Sequence, residues 1–400
     1  MKTPAKKRTA AELAAAVLWC ALTLGTDRLF FRYDWRTPAF FVYKALFLVL
    51  AFGLVHGAVT LVQKLRAGDK FARRWVAWTL PYLAVNLVIL LIVWPGIWGN
   101  DDLAVLYLAR TLQPNSWQHF LTSGAFILSL MFVPMPGGVV LVQNLLISGI
   151  VGCFAATAQD LAEKRLTRPV RPAWFALVYL PFLLPPVLMH TQQPFRTTWS
   201  TWTELFLVFM LVAMYLRGTK LNKKELAAIV ILGTLAASWR SECVYYLAAI
   251  PVLLALLLLG RGSADKCRGL WVFVLTCAVC GGAFVVYVLQ GMGFDFAALL
   301  ARADLILHDP QYDFTTADRL AMLRSQLSAV IGNCWLSALA GVALAAAGML
   351  FGERRGFARS LEKALWYTAF FLSLWCTAYC LRAQELDFRY MCPAFALAGG

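Results

Sequence analysis

The sequence predicts an all-α, polytopic integral membrane protein of about 11 to 13 transmembrane or re-entrant helices, with a short juxtamembrane helix outside the membrane. Three observations carry this reading. Hydrophobic residues make up 61% of the 400 and charged residues 14%, against about 45–50% and 25% in soluble domains. Apolar runs long enough to cross a bilayer recur along the whole length. The basic residues, finally, fall on one side. In the topology these runs imply, 24 of the 36 Lys and Arg lie inside, as do 8 of the 21 acids, which gives +16 inside and −1 outside of the net +15. That is the positive-inside bias of membrane helices, and it removes nucleic acid as the reason for the basic charge.

The first helix is expected over residues 10–31, with no cleavage site after its basic start, so it reads as an anchor. The second covers 38–62, and a basic inside loop, 64–74, follows. A third helix, 75–93, leads outward and breaks at Pro95-Gly96. Asp101 and Asp102 then head a short amphipathic segment. Residues 120–133 are too short to span and end at Pro134-Met135-Pro136; a fuller helix, 139–158, reaches the basic stretch 163–171. If both segments crossed, that stretch would lie outside, so 120–133 is read as a half-helix or re-entrant piece.

The remaining chain alternates across the membrane. A helix over 174–190 runs outward, 191–198 is an outside loop, 199–216 returns to basic residues 217–224, and 226–238 ends at Trp239-Arg240. Helices 244–259 and 271–289 follow, then an acidic outside segment, 291–328. The last helices, 331–351 and 365–381, precede a loop over 382–390. The ten residues after Tyr390 cannot span, so the final helix is expected to be incomplete. Residues 1–74 are set apart as two extra helices and a basic loop, and 75–400 as one module.

Acid is scarce, and two adjacent carboxylates beside a membrane surface suit general-base work, with outside arginines suited to a phosphate-bearing ligand. Each candidate has a plainer alternative. Asn100 is a good N-cap, and Asp101 and Asp102 in a first helical turn complement the helix dipole. Arg240 and Glu242 are a potential interfacial ion pair, and Arg196 at a membrane boundary can snorkel. His119 and the other histidines share no metal-ligand spacing, and Cys277 and Cys280 lack a second pair for zinc. Cys380 and Cys392 flank one outside loop, where a disulfide is possible. No glycine-rich phosphate loop, dinucleotide fingerprint or Ser-His-Asp pattern appears, so a nucleotide-sugar donor site is not suggested.

Pro95-Gly96, Asp101-Asp102, Gln118-His119, Val142-Gln143-Asn144, Trp239-Arg240 with Glu242, and Phe388-Arg389-Tyr390 with Pro393 together resemble GT-C-type membrane glycosyltransferases. The nearest likeness is to bacterial multi-pass proteins of a domain-of-unknown-function family related to the protein O-mannosyltransferase and aminoarabinose-transferase group. It covers roughly residues 75–400. A Lys-Asp pair that related proteins often carry is replaced here by Phe195-Arg196-Thr197-Thr198. The resemblance implies transfer of a sugar from a polyprenyl-phosphate carrier to a glycan, lipid or protein acceptor on the extracytoplasmic face of the cell membrane. It implies that Asp101 or Asp102 is the base or part of a divalent-cation (Mg or Mn) site, and that Arg240, Arg389 and Arg196 hold the lipid phosphate, with Glu242, Tyr390 and His119 as substrate contacts. Two rivals stay open: a lipid-linked glycan polymerase or ligase, and a transporter of an anionic lipid or glycan, against which stand the few mid-helix charges and the lack of an internal repeat.

Overall fold

The computed structural model describes residues 5–33, 36–114, 120–165, 170–217 and 223–239, with isolated residues and short pairs between 274 and 328. Every regular element among them is helical, and four helices are long and apolar enough to cross a membrane. The protein is an all-α, membrane-embedded chain. It divides into two compact units, Met1–Ala156 with Thr191–Pro194, and Thr157–His190 with Phe195–Gly400.

The first unit contains α1 (Ala5–Phe30), α2 (Pro38–Arg66), α3 (Lys70–Ile92), α4 (Asn100–Arg110), α5 (Phe120–Phe132) and most of α6 (Pro136–Arg165). Helices α1 and α2 are antiparallel: Arg8 binds Thr60 and Gln63, while Asp27 pairs with Lys44. Their outer faces are bare apolar surface, such as Leu22 and Val49, as lipid-facing helices require. Only 11% of the apolar window of α1 and of α2 is buried, against 61% of that of α6, so α6 is the inner helix.

Helices α3 and α6 also run antiparallel. The ring of Trp94 lies on Gly137, Asn86 and Asn144 share Gln192, and Thr79 touches Gly152. The C-terminus of α3 therefore meets the N-terminus of α6, and residues 95–136 leave and return at the same end of the pair. Between them α5 has 13 residues, about 20 Å at 1.5 Å per residue, short of the roughly 30 Å apolar core. Gly124 of α5 lies beside Tyr43, and Phe132 packs on Phe47, about a third of the way along α2, and on Trp19, near the middle of α1. Thus α5 ends beside the interior of α1 and α2, and the chain turns at Pro134–Pro136 into α6. Its buried face, Phe126, Ile127, Leu130 and Met131, joins Phe47 and Ala51 of α2 and Val105 and Ala109 of α4 in one core. The two helices the sequence sets apart share this core with α4 and α5.

In the second unit the expected single helix over 174–190 is not formed. The chain takes a 3-10 course over Pro172–Leu183 and then makes a short α7 (Pro185–Thr191). Pro181, Pro185 and Pro186 lack the amide hydrogens that an unbroken α-helix needs there. Helix α8 (Arg196–Arg217) and α9 (Lys223–Ser238) follow, and Trp199 stacks on Trp239 at 5.9 Å.

Candidate functional site

The two first-loop carboxylates differ in kind. After α3 the chain turns at Gly96, whose φ of +115° is open to glycine but strained for other residues. A Cβ there would also strike Val140 and approach the carbonyl of Gln192. Helix α4 then starts with Gly99 as its N-cap and Asn100 as its first residue, so Asn100 is not the cap that the sequence suggested. Asp102 decides the position. Only 3% exposed, it reaches back so that its Oδ2 accepts the Gly99 N–H at 3.2 Å. Asp101 is exposed and makes no hydrogen bond or ion pair with the described residues.

Helix α4 is fastened at both ends. At its C-terminus, Arg110 lies over the Phe30 ring at 5.0 Å and its carbonyl accepts the Arg32 N–H at 2.6 Å. At its start, the Ile97 N–H donates to the Gln192 carbonyl at 3.0 Å. Gln192 belongs to a stretch, 191–198, that the sequence reads as an outside loop. In the structure its last residues, from Arg196, begin α8, and Thr191, Gln192, Phe195, Thr197 and Thr198 are all buried. Irregular backbone away from water needs partners for its polar groups, and Gln143 of α6 and the Ile97 N–H bind three of its carbonyls.

Gln143 donates to the carbonyls of Thr191 at 2.6 Å and Gln193 at 3.0 Å. Asn144 donates to Gln192 Oε1 at 3.0 Å, Gln192 Nε2 donates to Asn86 Oδ1 at 3.3 Å, and Asn86 Nδ2 donates to the Tyr82 carbonyl at 3.1 Å. Sequence reasoning noted Gln143 and Asn144 only as part of a likeness and passed over Asn86 and Gln192. The available signal was three amides, Asn86, Gln143 and Asn144, in otherwise apolar runs; Gln192 stands in a polar stretch and gave none.

The ion pairs of α1 and α2 were also missed. Asp27 (1% exposed) binds Lys44 (8% exposed), which also donates to the Thr23 hydroxyl at 2.7 Å and sits 4.5 Å from the Phe47 ring. Glu12 holds Arg8 at 2.6 Å and His56 at 2.8 Å. Charges within apolar helices persist where they pair with one another.

Of the other expected site residues, Arg196 is the first residue of α8 and half-buried, in the second unit. His119, Arg240, Glu242, Arg389 and Tyr390 lie outside the described residues. His190 is buried, and its carbonyl accepts the Thr198 hydroxyl at 3.2 Å. In the acidic segment two carboxylates bond to nearby groups of the chain. Asp295 accepts the Ala297 N–H at 2.8 Å. Asp318 accepts the hydroxyl and N–H of Thr315 at 2.6 and 3.0 Å, bonds that hold its carboxyl below the usual range.

Among the described residues no three His, Cys, Asp or Glu side chains converge as a metal site would need. With one oxygen of Asp102 engaged, Asp101 is the open carboxylate on α4: one ligand for a divalent cation, without a set around it. Compared with family models, with characterised proteins and with solved structures, the chain matches none.

Proposed function

We propose that this chain is a membrane glycosyltransferase of the GT-C kind, moving a sugar from a polyprenyl-phosphate donor to an acceptor on the extracytoplasmic face. The observation that supports it is the division of labour on α4: Asp102 is buried and fixes the first turn, and the adjacent Asp101 presents an exposed carboxylate beside the helix break. In this reading Asp101 takes the proton of the acceptor hydroxyl as its oxygen bonds to the anomeric carbon. The bond from that carbon to the phosphate oxygen breaks, and its electron pair leaves with the lipid phosphate. Direct displacement inverts the anomeric centre. Arg240 and Arg389, with Arg196, meet the phosphate charge, which grows in the transition state; their assignment comes from the sequence. Purified protein given a polyprenyl-phosphate sugar and an acceptor should yield glycosylated acceptor and free polyprenyl phosphate, with no turnover of a nucleotide sugar alone. The opposite donor preference overturns this function.

A second reading, transport of an anionic lipid or glycan, is favoured by the break between α7 and α8 and the ion pairs within α1 and α2. Reconstituted vesicles separate the two: a transporter moves the lipid-linked sugar unchanged, while a transferase releases the lipid phosphate.

A further inference from the structure

Three successive carbonyls of the Thr191–Pro194 segment are each bound: those of Thr191 and Gln193 by the one amide of Gln143, and that of Gln192 by the Ile97 N–H. The segment thus faces α6 with its first and third carbonyls and the start of α4 with its second. The Gln192 side chain, 0% exposed, ties the same segment to α3 and α6.

The direction of this amide chain is not free. Asn86 Nδ2 ends on the Tyr82 carbonyl, which only accepts, so Asn86 must turn Oδ1 toward Gln192. Gln192 must then present Nε2 to it, and Oε1 is left to accept from Asn144. Gln192 is held in one orientation by partners on two helices, while its main chain holds the residue two positions before the α4 cap.

We propose that Gln192 is a positioning residue for the α4 carboxylates, acting through Ile97 to fix where the helix begins and hence where Asp101 stands. Its consequence for catalysis rests on the reading of Asp101 as the base. Gln192→Glu has nearly the same shape but turns an acceptor toward Asn86 Oδ1, and Gln192→Met keeps the volume without a donor or acceptor.

The test is hydrogen exchange of the full-length protein in detergent, read over residues 95–103, together with transfer kinetics. Both variants should exchange about tenfold or more faster there, and lose about 10²-fold in kcat with little change in KM, as misplacement of a reacting group does. Gln113→Glu, at an exposed position, should change neither. If Gln192→Glu does not insert, Gln143→Met frees the Thr191 and Gln193 carbonyls without altering Gln192 and carries the same measurement. Unchanged exchange over 95–103 in the inserted variants overturns the proposal. Faster exchange together with full activity of Asp101→Asn would leave Gln192 positioning α4 and remove Asp101 as the base.

Discussion

The carboxylate of Asp102 accepts the main-chain N–H of Gly99 at 3.2 Å, closing the first turn of α4 and leaving Asp101 as the open acid of the pair. Two neighbours alike in sequence thus differ in burial and bonding, and substitution should tell them apart.

Asp102→Asn keeps an acceptor oxygen for Gly99 but removes the charge at the helix start, at about 0.3–1 kcal/mol. Asp102→Ala also removes the acceptor and should cost about 1 kcal/mol or more. Asp101→Asn also removes a first-turn charge, so it should cost no more than about 0.3–1 kcal/mol, while slowing transfer by about 10²–10⁴-fold. Melting in detergent and single-turnover transfer measure the two effects. Full activity of Asp101→Asn sinks the assignment of the base.

The Asp27–Lys44 pair offers a double-mutant cycle. Asp27→Leu or Lys44→Met alone strands a buried charge and should destabilise by about 3–5 kcal/mol. The double variant leaves none and should be more stable than either single one. Additive losses would show that the two charges do not depend on one another.

Gly96→Ala adds a Cβ at a positive φ and against Val140, and should destabilise by at least about 1 kcal/mol. Gly57→Ala, on α2 with open space around it, should be neutral or stabilising by up to about 1 kcal/mol. Equal melting temperatures for the two variants would contradict the tight seat of the Pro95–Gly96 turn.

Sidedness is open to labelling in a cysteine-free background. Gln113→Cys, just after α4, and Lys64→Cys, at the opposite end of α2, are both exposed positions. An impermeant thiol reagent added to intact cells should modify the first and spare the second. The reverse pattern would place α4 and its carboxylates on the cytoplasmic face.

Much of this was legible because bilayer physics writes strongly into sequence. The apolar runs gave α1, α2, α3 and α6 to within five to seven residues at their least certain ends, and 120–133 was already too short to span, as α5 is. The Pro95–Gly96 break and the helix carrying Asp101 and Asp102 were also visible. Proline effects were harder: Pro81 sits inside α3 without ending it, whereas Pro185 and Pro186 begin α7 and Pro181 lies in the 3-10 stretch before it. Polar partners were least legible: 191–198 reads as a loop by composition, and nothing in the sequence showed that most of it is buried in the fold.

The sequence by itself determined the solvent each segment must meet, because the transfer cost of apolar and charged side chains is local and additive enough to read residue by residue. It therefore decided the helical class, the four helices long and apolar enough to cross a membrane among the described residues, and the place of the paired acids in the chain. Only the tertiary structure decided which polar side chains find one another: Gln192 with Asn86 and Asn144, Asp27 with Lys44, Asp102 with its own helix start. Hydrogen bonds are directional and short-ranged, and the partners of Gln192 lie 48 and 106 residues away in sequence, so their pairing exists only once the helices have packed.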